Sequence, residues 1–106
     1  MKRIVLGASL AACLFAAQNA KASDDLTSKC KSISTLAGTI MKARQAGTSM
    51  SEMMEVKIGP DVKDLATSMI VSAFETPRFN TEKIKQETIS DFRDDWYLKC
   101  VKASTR

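Results

Sequence analysis

The chain has 106 residues, with 16 lysines and arginines, 12 aspartates and glutamates, and no histidine. The absence of histidine removes the commonest general base and most zinc sites, which argues against an enzyme. One tryptophan, one tyrosine and interspersed charges of both signs do not form the basic, aromatic surface of a nucleic-acid-binding protein.

The N-terminal segment is typical of a secretory signal peptide. Residues 1–3 are basic at two positions, residues 4–17 form an uncharged apolar run, and Ala20 and Ala22 supply the small residues that a signal peptidase recognises. The apolar run is shorter than the roughly 20 residues that a transmembrane helix needs. We therefore expect residues 1–22 to be removed by cleavage after Ala22. The mature chain would be periplasmic or secreted and would lack a transmembrane segment.

A second processing route competes with this one. Leu10 to Cys13 resembles the lipobox at which bacterial lipoproteins are cut and acylated. The residues after Cys13 stay apolar, whereas a lipoprotein usually becomes polar there. We keep cleavage after Ala22 as the prediction, and a lipid anchor at Cys13 as the alternative.

Removal of the signal peptide also removes most of the basic excess. Lys2, Arg3 and Lys21 leave with it, so the mature chain carries 13 basic and 12 acidic residues. A nearly balanced chain without a basic run is not expected to bind nucleic acid.

Two cysteines remain in the mature chain, Cys30 near its start and Cys100 near its end. In a small exported protein, such a pair is typical of a structural disulfide. Their spacing does not fit a redox Cys-x-x-Cys motif, and the lack of histidine leaves little support for a metal site. We therefore expect a disulfide between Cys30 and Cys100, which would stabilise the fold by about 4 kcal/mol in the chain-entropy model.

The first predicted helix follows the signal peptide. Apolar residues recur every three or four positions from Leu26 to Met41, which predicts an amphipathic helix. Residues 23–25 supply its N-cap and an acidic first turn, and Gly47 is suited to end it.

A second, short helix is predicted directly after this glycine. Ser49 and Glu52 fit a capping box, so the helix should run from about Met50 to Val56 or Lys57. A helix of this length is not stable unless it packs against other elements.

Two longer helices complete the pattern. Residues 59–61, Gly-Pro-Asp, interrupt the helical pattern and can begin a third helix with Pro60 in its first turn. Pro77 ends that helix, and a fourth begins near Asn80 or Thr81. The two apolar stripes are Val62, Leu65, Ala66, Met69, Ile70, Ala73 and Phe74, and Ile84, Thr88, Ile89, Phe92, Trp96, Cys100 and Val101.

These elements predict an all-α fold, a small bundle of three to four helices in a single domain over residues 23–106. The cysteines lie in the first turns of the first helix and the last turns of the last, each on an apolar stripe. A disulfide between them closes the bundle and favours antiparallel packing of the two outer helices.

Several short features of the mature chain also suggest a family. They are Cys30, Ile40-Met41, Arg44-Gln45-x-Gly47, the methionine-rich short helix, Ala73-Phe74 with Pro77, Phe92, and Tyr97-Leu98-x-Cys100. Together they resemble a group of small exported, cysteine-bracketed α-helical proteins of bacteria and their phages. The resemblance covers nearly all of the mature chain, and it implies neither an activity nor a catalytic residue.

The acidic side chains offer one arrangement that catalysis could use. Asp91 lies three and four residues from Asp94 and Asp95, so carboxylates share a face of the last helix. Arg93 and Lys99 lie among and near these aspartates, and such a mixture of charges is typical of a solvated helix face. We therefore expect no catalytic residue, no metal site and no cofactor.

Binding to a partner is the better supported function. Met50, Met53 and Met54 lie on the short helix, and at least one of Met53 and Met54 should be buried beneath it. Methionine adapts to irregular surfaces, so the cluster is either core packing or a partly exposed apolar patch for a partner.

Three further residues are candidate partner-binding residues. Arg44 and Gln45 lie near the predicted end of the first helix, where Arg44 would either cap carbonyl groups or bind a carboxylate of a partner. Tyr97 follows Trp96, which continues the apolar stripe, so Tyr97 is left beside it and available for contact.

We therefore expect a small periplasmic or secreted binding protein without catalytic activity, whose partner is an envelope protein. An inhibitor or immunity protein is the most concrete version, by analogy with other small rigid domains. Two alternatives remain. One is an envelope structural factor tethered through Cys13, and the other is a carrier of an apolar small molecule.

Overall fold

The computed structural model describes residues 25–56 and 59–105, and these contain four helices and no strand. Helix α1 covers residues 25–46, α2 Met50–Glu55, α3 Lys63–Glu75 and α4 Glu82–Ser104. The predicted all-α class is confirmed. The predicted signal peptide, the lipobox at Cys13 and the cap residues 23 and 24 lie outside the described residues. None of the described helices combines the length and apolarity that a membrane-spanning segment needs.

Helix α1 ends in the turn that the sequence predicts. Gly47 has a φ of 99°, its amide donates to the carbonyl of Arg44 at 3.1 Å, and the amide of Thr48 donates to Ala43 at 3.0 Å. This pair of hydrogen bonds is the Schellman motif, which satisfies the last carbonyls of a helix. The turn directs the chain back along the bundle towards α2.

Ser49 is the N-cap of α2, as predicted. Its Oγ accepts from the amide of Glu52 at 3.2 Å and lies 3.1 Å from Glu52 Oε1, to which it can donate. The carboxylate of Glu52 therefore binds the hydroxyl of Ser49. In a standard capping box it binds the backbone amide of the N-cap residue instead. Val56, at the predicted C-terminal boundary, is the C-cap.

Helix α3 begins later than the sequence prediction placed it. Pro60 is not in its first turn, because the amide of Val62 donates to the carbonyl of Gly59 at 3.1 Å and closes a separate turn. The helix then starts at Lys63 with Val62 as an N-cap that has no side-chain hydrogen bond. The start of α4 agrees with the prediction, since Thr81 Oγ1 accepts from the amide of Ile84 at 3.3 Å.

The disulfide between Cys30 and Cys100 is present and joins α1 to α4, as predicted. Its two Cα atoms are 5.5 Å apart, and 70 positions separate the residues in sequence. At the other end of the same helices, Ala46 of α1 and Glu82 of α4 line one cleft. The two helices therefore run antiparallel along their full shared length.

Helix α3 lies beside this pair and runs parallel to α1. Leu65 near its start shares a cleft with Ile33 of α1, and Thr76 at its end accepts a hydrogen bond from Arg44. The core between the helices consists of Ala37, Ile40, Met41, Met53, Met69, Ile70, Ala73, Phe92 and Trp96.

Two residues of the predicted apolar stripes are exposed. Val62 is 39% exposed because it belongs to the turn before α3, and Ile84 is 38% exposed in the first turn of α4. Both lie at helix starts, where few neighbouring elements remain to cover them.

Candidate partner-binding surface

Helix α2 is attached to the bundle through one methionine. Met53 is 7% exposed and belongs to the core cluster with Met69 and Ile70 of α3. Because α2 has only six residues, this anchor and the Ser49 cap hold it in place. The structure therefore assigns Met53 to the core, although the sequence also allowed it a contact role.

The remaining apolar side chains of this segment are exposed. Met50 is 38%, Met54 46% and Val56 62% exposed. The prediction that at least one of Met53 and Met54 is buried is confirmed, with Met54 as the exposed one. Sequence reasoning missed Val56, which it read as the helix boundary. We call Met50, Met54 and Val56 the α2 patch.

Met54 and Val56 of the α2 patch line an open cleft of about 450 Å³ between α2 and α3. Met53 and Ile70 are its apolar core-side residues, while Glu55 and Lys63 place one charge of each sign on it. The full lining is Met53, Met54, Glu55, Val56, Lys63, Thr67 and Ile70. An open cleft beside flexible methionine side chains can accept a protruding apolar side chain of another protein.

Arg44 is turned towards α3 and does not cap its own helix. Its Nε donates to the carbonyl of Thr76 at 3.2 Å, and its guanidinium carbon lies 4.6 Å from the ring centroid of Phe74. Both contacts lie at the C-terminal end of α3. They leave Arg44 half-buried and occupied by the fold.

Gln45 is 1% exposed and has no surface for a partner to contact. Its Nε2 donates to the carbonyl of Pro77 at 2.9 Å, and its Oε1 accepts from the amide of Phe79 at 2.9 Å. Gln45 therefore fixes the connection between α3 and α4, and it has no part in the α2 patch.

Trp96 is buried at 9% exposure and Tyr97 is half-buried beside it, as the helical stripe predicts. The Nζ of Lys99 lies 4.4 Å from the centroid of the indole ring. Arg93 and Cys100, about one turn before and after Tyr97 on α4, lie against α1, whereas α2 packs on α3. The structure does not bring Tyr97 together with the α2 patch.

The acidic residues of α4 lie on its exposed side. Asp91, Asp94 and Asp95 are all exposed, and Asp95 forms an ion pair with Lys99 at 2.9 Å. Over residues 25–56 and 59–105, no group of three or more histidine, cysteine or carboxylate side chains is placed to hold a metal ion.

Comparison with known proteins assigns no family to the chain. The chain matches no family model, no curated protein and no solved structure.

Proposed function

We infer that the mature chain is a small binding protein of the bacterial envelope, periplasmic or secreted, which inhibits or neutralises an envelope protein through the α2 patch. The observation that carries this proposal is the exposure of Met54 and Val56 on the cleft between α2 and α3, with the exposed Met50 one helical turn before Met54. Apolar side chains grouped at the mouth of a cleft are typical of protein contact sites.

Two further observations support a location outside the cytoplasm. The Cys30–Cys100 disulfide is compatible with an oxidising compartment, where such bonds persist. The sequence of residues 1–22 has the order of charged, apolar and small residues that signal peptidase requires. We propose that export occurs through this signal and that cleavage after Ala22 releases the protein.

The mass of the exported protein tests this route. Cleavage after Ala22 gives a product that begins at Ser23 and contains only Cys30 and Cys100. A product that begins at a diacylated or triacylated Cys13 would instead establish the tethered structural factor and contradict release. Recovery of the full chain from the cytoplasm would contradict export itself.

Affinity capture with matched variants tests the binding surface. The bait is the oxidised protein, and the extract is the envelope fraction of its own host. Met54→Lys places a charge in the α2 patch, while Leu98→Lys makes the same change at a residue of α4 that is 50% exposed and away from it. We expect one stoichiometric partner with the wild type and Leu98→Lys, and its loss with Met54→Lys.

The captured partner must then lose activity when the protein is added. Equal capture by Met54→Lys, or repeated recovery of nothing by a bait that stays folded, contradicts the proposal. Recovery of a partner that the protein leaves fully active would retain binding but contradict inhibition.

A further inference from the structure

A second surface lies between α1 and α4, on a side to which α3 contributes no residue. It is a shallow groove with a volume of about 320 Å³. Its lining comes from one stripe of each helix, namely Thr35, Gly38, Thr39 and Lys42 of α1 and Gln86, Ile89 and Arg93 of α4. We call this feature the α1–α4 groove.

Arg93 lies directly against the backbone of α1. A Cβ atom at Gly38 would be 2.6 Å from Cδ and 2.7 Å from Cγ of Arg93. Real Cβ atoms do not approach so closely, so the missing side chain at residue 38 is what allows this position of Arg93. The guanidinium is thereby brought into the groove and not left free above α4.

Among the residues that the structure describes, neither Lys42 nor Arg93 forms an ion pair within 4.0 Å. The ion pair found over these ranges joins Lys99 to Asp95. Lys31 lies on the same face of α1 as Gly38 and extends the positive charge along that helix. An anionic group in the groove would therefore meet charges that the fold has not neutralised.

The other polar groups of the groove are already used as donors. The hydroxyls of Thr35 and Thr39 donate to the carbonyls one turn earlier, at 2.9 and 3.1 Å. Gln86 Nε2 donates to Glu82 Oε1 at 2.9 Å, which leaves a carboxylate at that end of the groove. Recognition of an anion would therefore fall to Lys42 and Arg93.

We propose that the α1–α4 groove binds an acidic polypeptide segment of a protein partner through Lys42 and Arg93. The fork of the guanidinium suits a carboxylate, and the ammonium of Lys42 adds a point charge beside it. Tyr97, one helical turn after Arg93 on α4, is placed to extend the same contact. This inference does not depend on whether the α2 patch binds anything.

The surroundings of the groove favour a narrow chain over a broad anionic surface. Glu87 and Asp94 are exposed on the outer side of α4 next to Arg93. A lipid bilayer that reached Arg93 would also meet these carboxylates, and their repulsion would oppose binding. A single extended chain that lies along the groove avoids Glu87 and Asp94. The carboxylate that it meets towards Lys42 is that of Glu82, which already accepts a hydrogen bond from Gln86.

The test uses the oxidised full chain with a short peptide of alternating glutamate and glycine, and a matched peptide with glutamine in place of glutamate. Binding is followed at low salt by amide chemical shifts. We expect saturable shifts over residues 35–42 and 86–93 with the glutamate peptide only, and their loss at high salt. Shifts confined to another face, or none at all, would overturn the proposal.

Variants assign the binding to the named side chains. Lys42→Gln and Arg93→Gln should each lower the affinity for the glutamate peptide by about fivefold. Lys102→Gln, on the opposite side of α4, should leave it unchanged. Gly38→Ala leaves every charge in place but displaces Arg93, so it should also weaken binding of the peptide. If Arg93→Gln does not fold, Gly38→Ala tests the role of Arg93 in its place.

Two outcomes would contradict the assignment directly. Equal weakening by Lys102→Gln and Arg93→Gln would indicate a general charge effect and no defined site. Binding of phosphatidylglycerol vesicles through Lys42 and Arg93, with no binding of the glutamate peptide, would identify a membrane surface as the occupant and overturn the polypeptide assignment.

Discussion

Gln45 of α1 and Pro77, which follows α3, are joined by a hydrogen bond of 2.9 Å from Nε2 to the proline carbonyl. The same amide group accepts from Phe79, so one side chain satisfies two backbone groups of the α3–α4 connection. Pro77 has no amide hydrogen and cannot continue a helical ladder, which leaves this segment without regular backbone partners. Gln45 supplies them from another helix.

Replacement of Gln45 by leucine should therefore destabilise the fold. The change leaves the carbonyl of Pro77 and the amide of Phe79 without partners in a partly buried place, which should lower the free energy of unfolding by about 1–3 kcal/mol. Gln86→Leu, at an exposed glutamine of α4, should change it by less than about 0.5 kcal/mol. Urea unfolding of the two variants measures the difference, and equal effects would contradict the role given to Gln45.

The turn at Gly47 gives a second stability prediction. Its φ of 99° is unfavourable for residues with a side chain, and a Cβ there would also lie 3.1 Å from Nη2 of Arg78. Gly47→Ala should destabilise by about 1–2 kcal/mol. Gly59→Ala is the control, because a Cβ at Gly59 meets no atom within 4 Å. An equal loss of stability in both variants would mean that the turn at Gly47 is not the cause.

Local patterns predicted most of this fold. The helix periodicity, the cap at Ser49 and the glycine stop at Gly47 depend on residues within one or two turns of each other. The Cys30–Cys100 pairing was also accessible, because the expected loss of Cys13 with the signal peptide leaves two cysteines on apolar stripes. Such features need no knowledge of distant contacts.

The roles of Gln45 and Arg93 could not be predicted in the same way. The hydrogen-bond partners of Gln45 are 32 and 34 positions away in the sequence. Gln45 also follows Arg44, a charged residue that suggests an exposed position. Arg93 appears as one charge among the aspartates of α4, and only the packing of α4 on Gly38 shows where it lies. The predicted start of α3 was wrong for a local reason. The turn closed by Gly59 and Val62 replaces the first turn of a helix that would have begun at Pro60.

The disulfide makes stability depend on the redox state. Loss of the Cys30–Cys100 bond frees a loop of 70 positions in the unfolded chain, which should remove about 4 kcal/mol of stability. For a domain of this size, Cys30→Ser or Cys100→Ser should lower the melting temperature by roughly 15–30 °C under oxidising conditions. The double variant should melt at the same temperature with and without reductant. If the wild type also melts equally in both, the bond makes no contribution to stability.

Met53 and Met54 separate core packing from partner contact. Met53 is 7% exposed within the core, so Met53→Lys buries an unpaired charge and should abolish cooperative unfolding. Met54 is 46% exposed, so Met54→Lys should keep the melting temperature within a few degrees of the wild type. Circular dichroism measures both, and Met53→Ala, expected to cost about 2–5 kcal/mol, gives a milder form of the same test. If Met54→Lys unfolds the protein as Met53→Lys does, Met54 supports the fold, and the α2 patch loses its central contact residue.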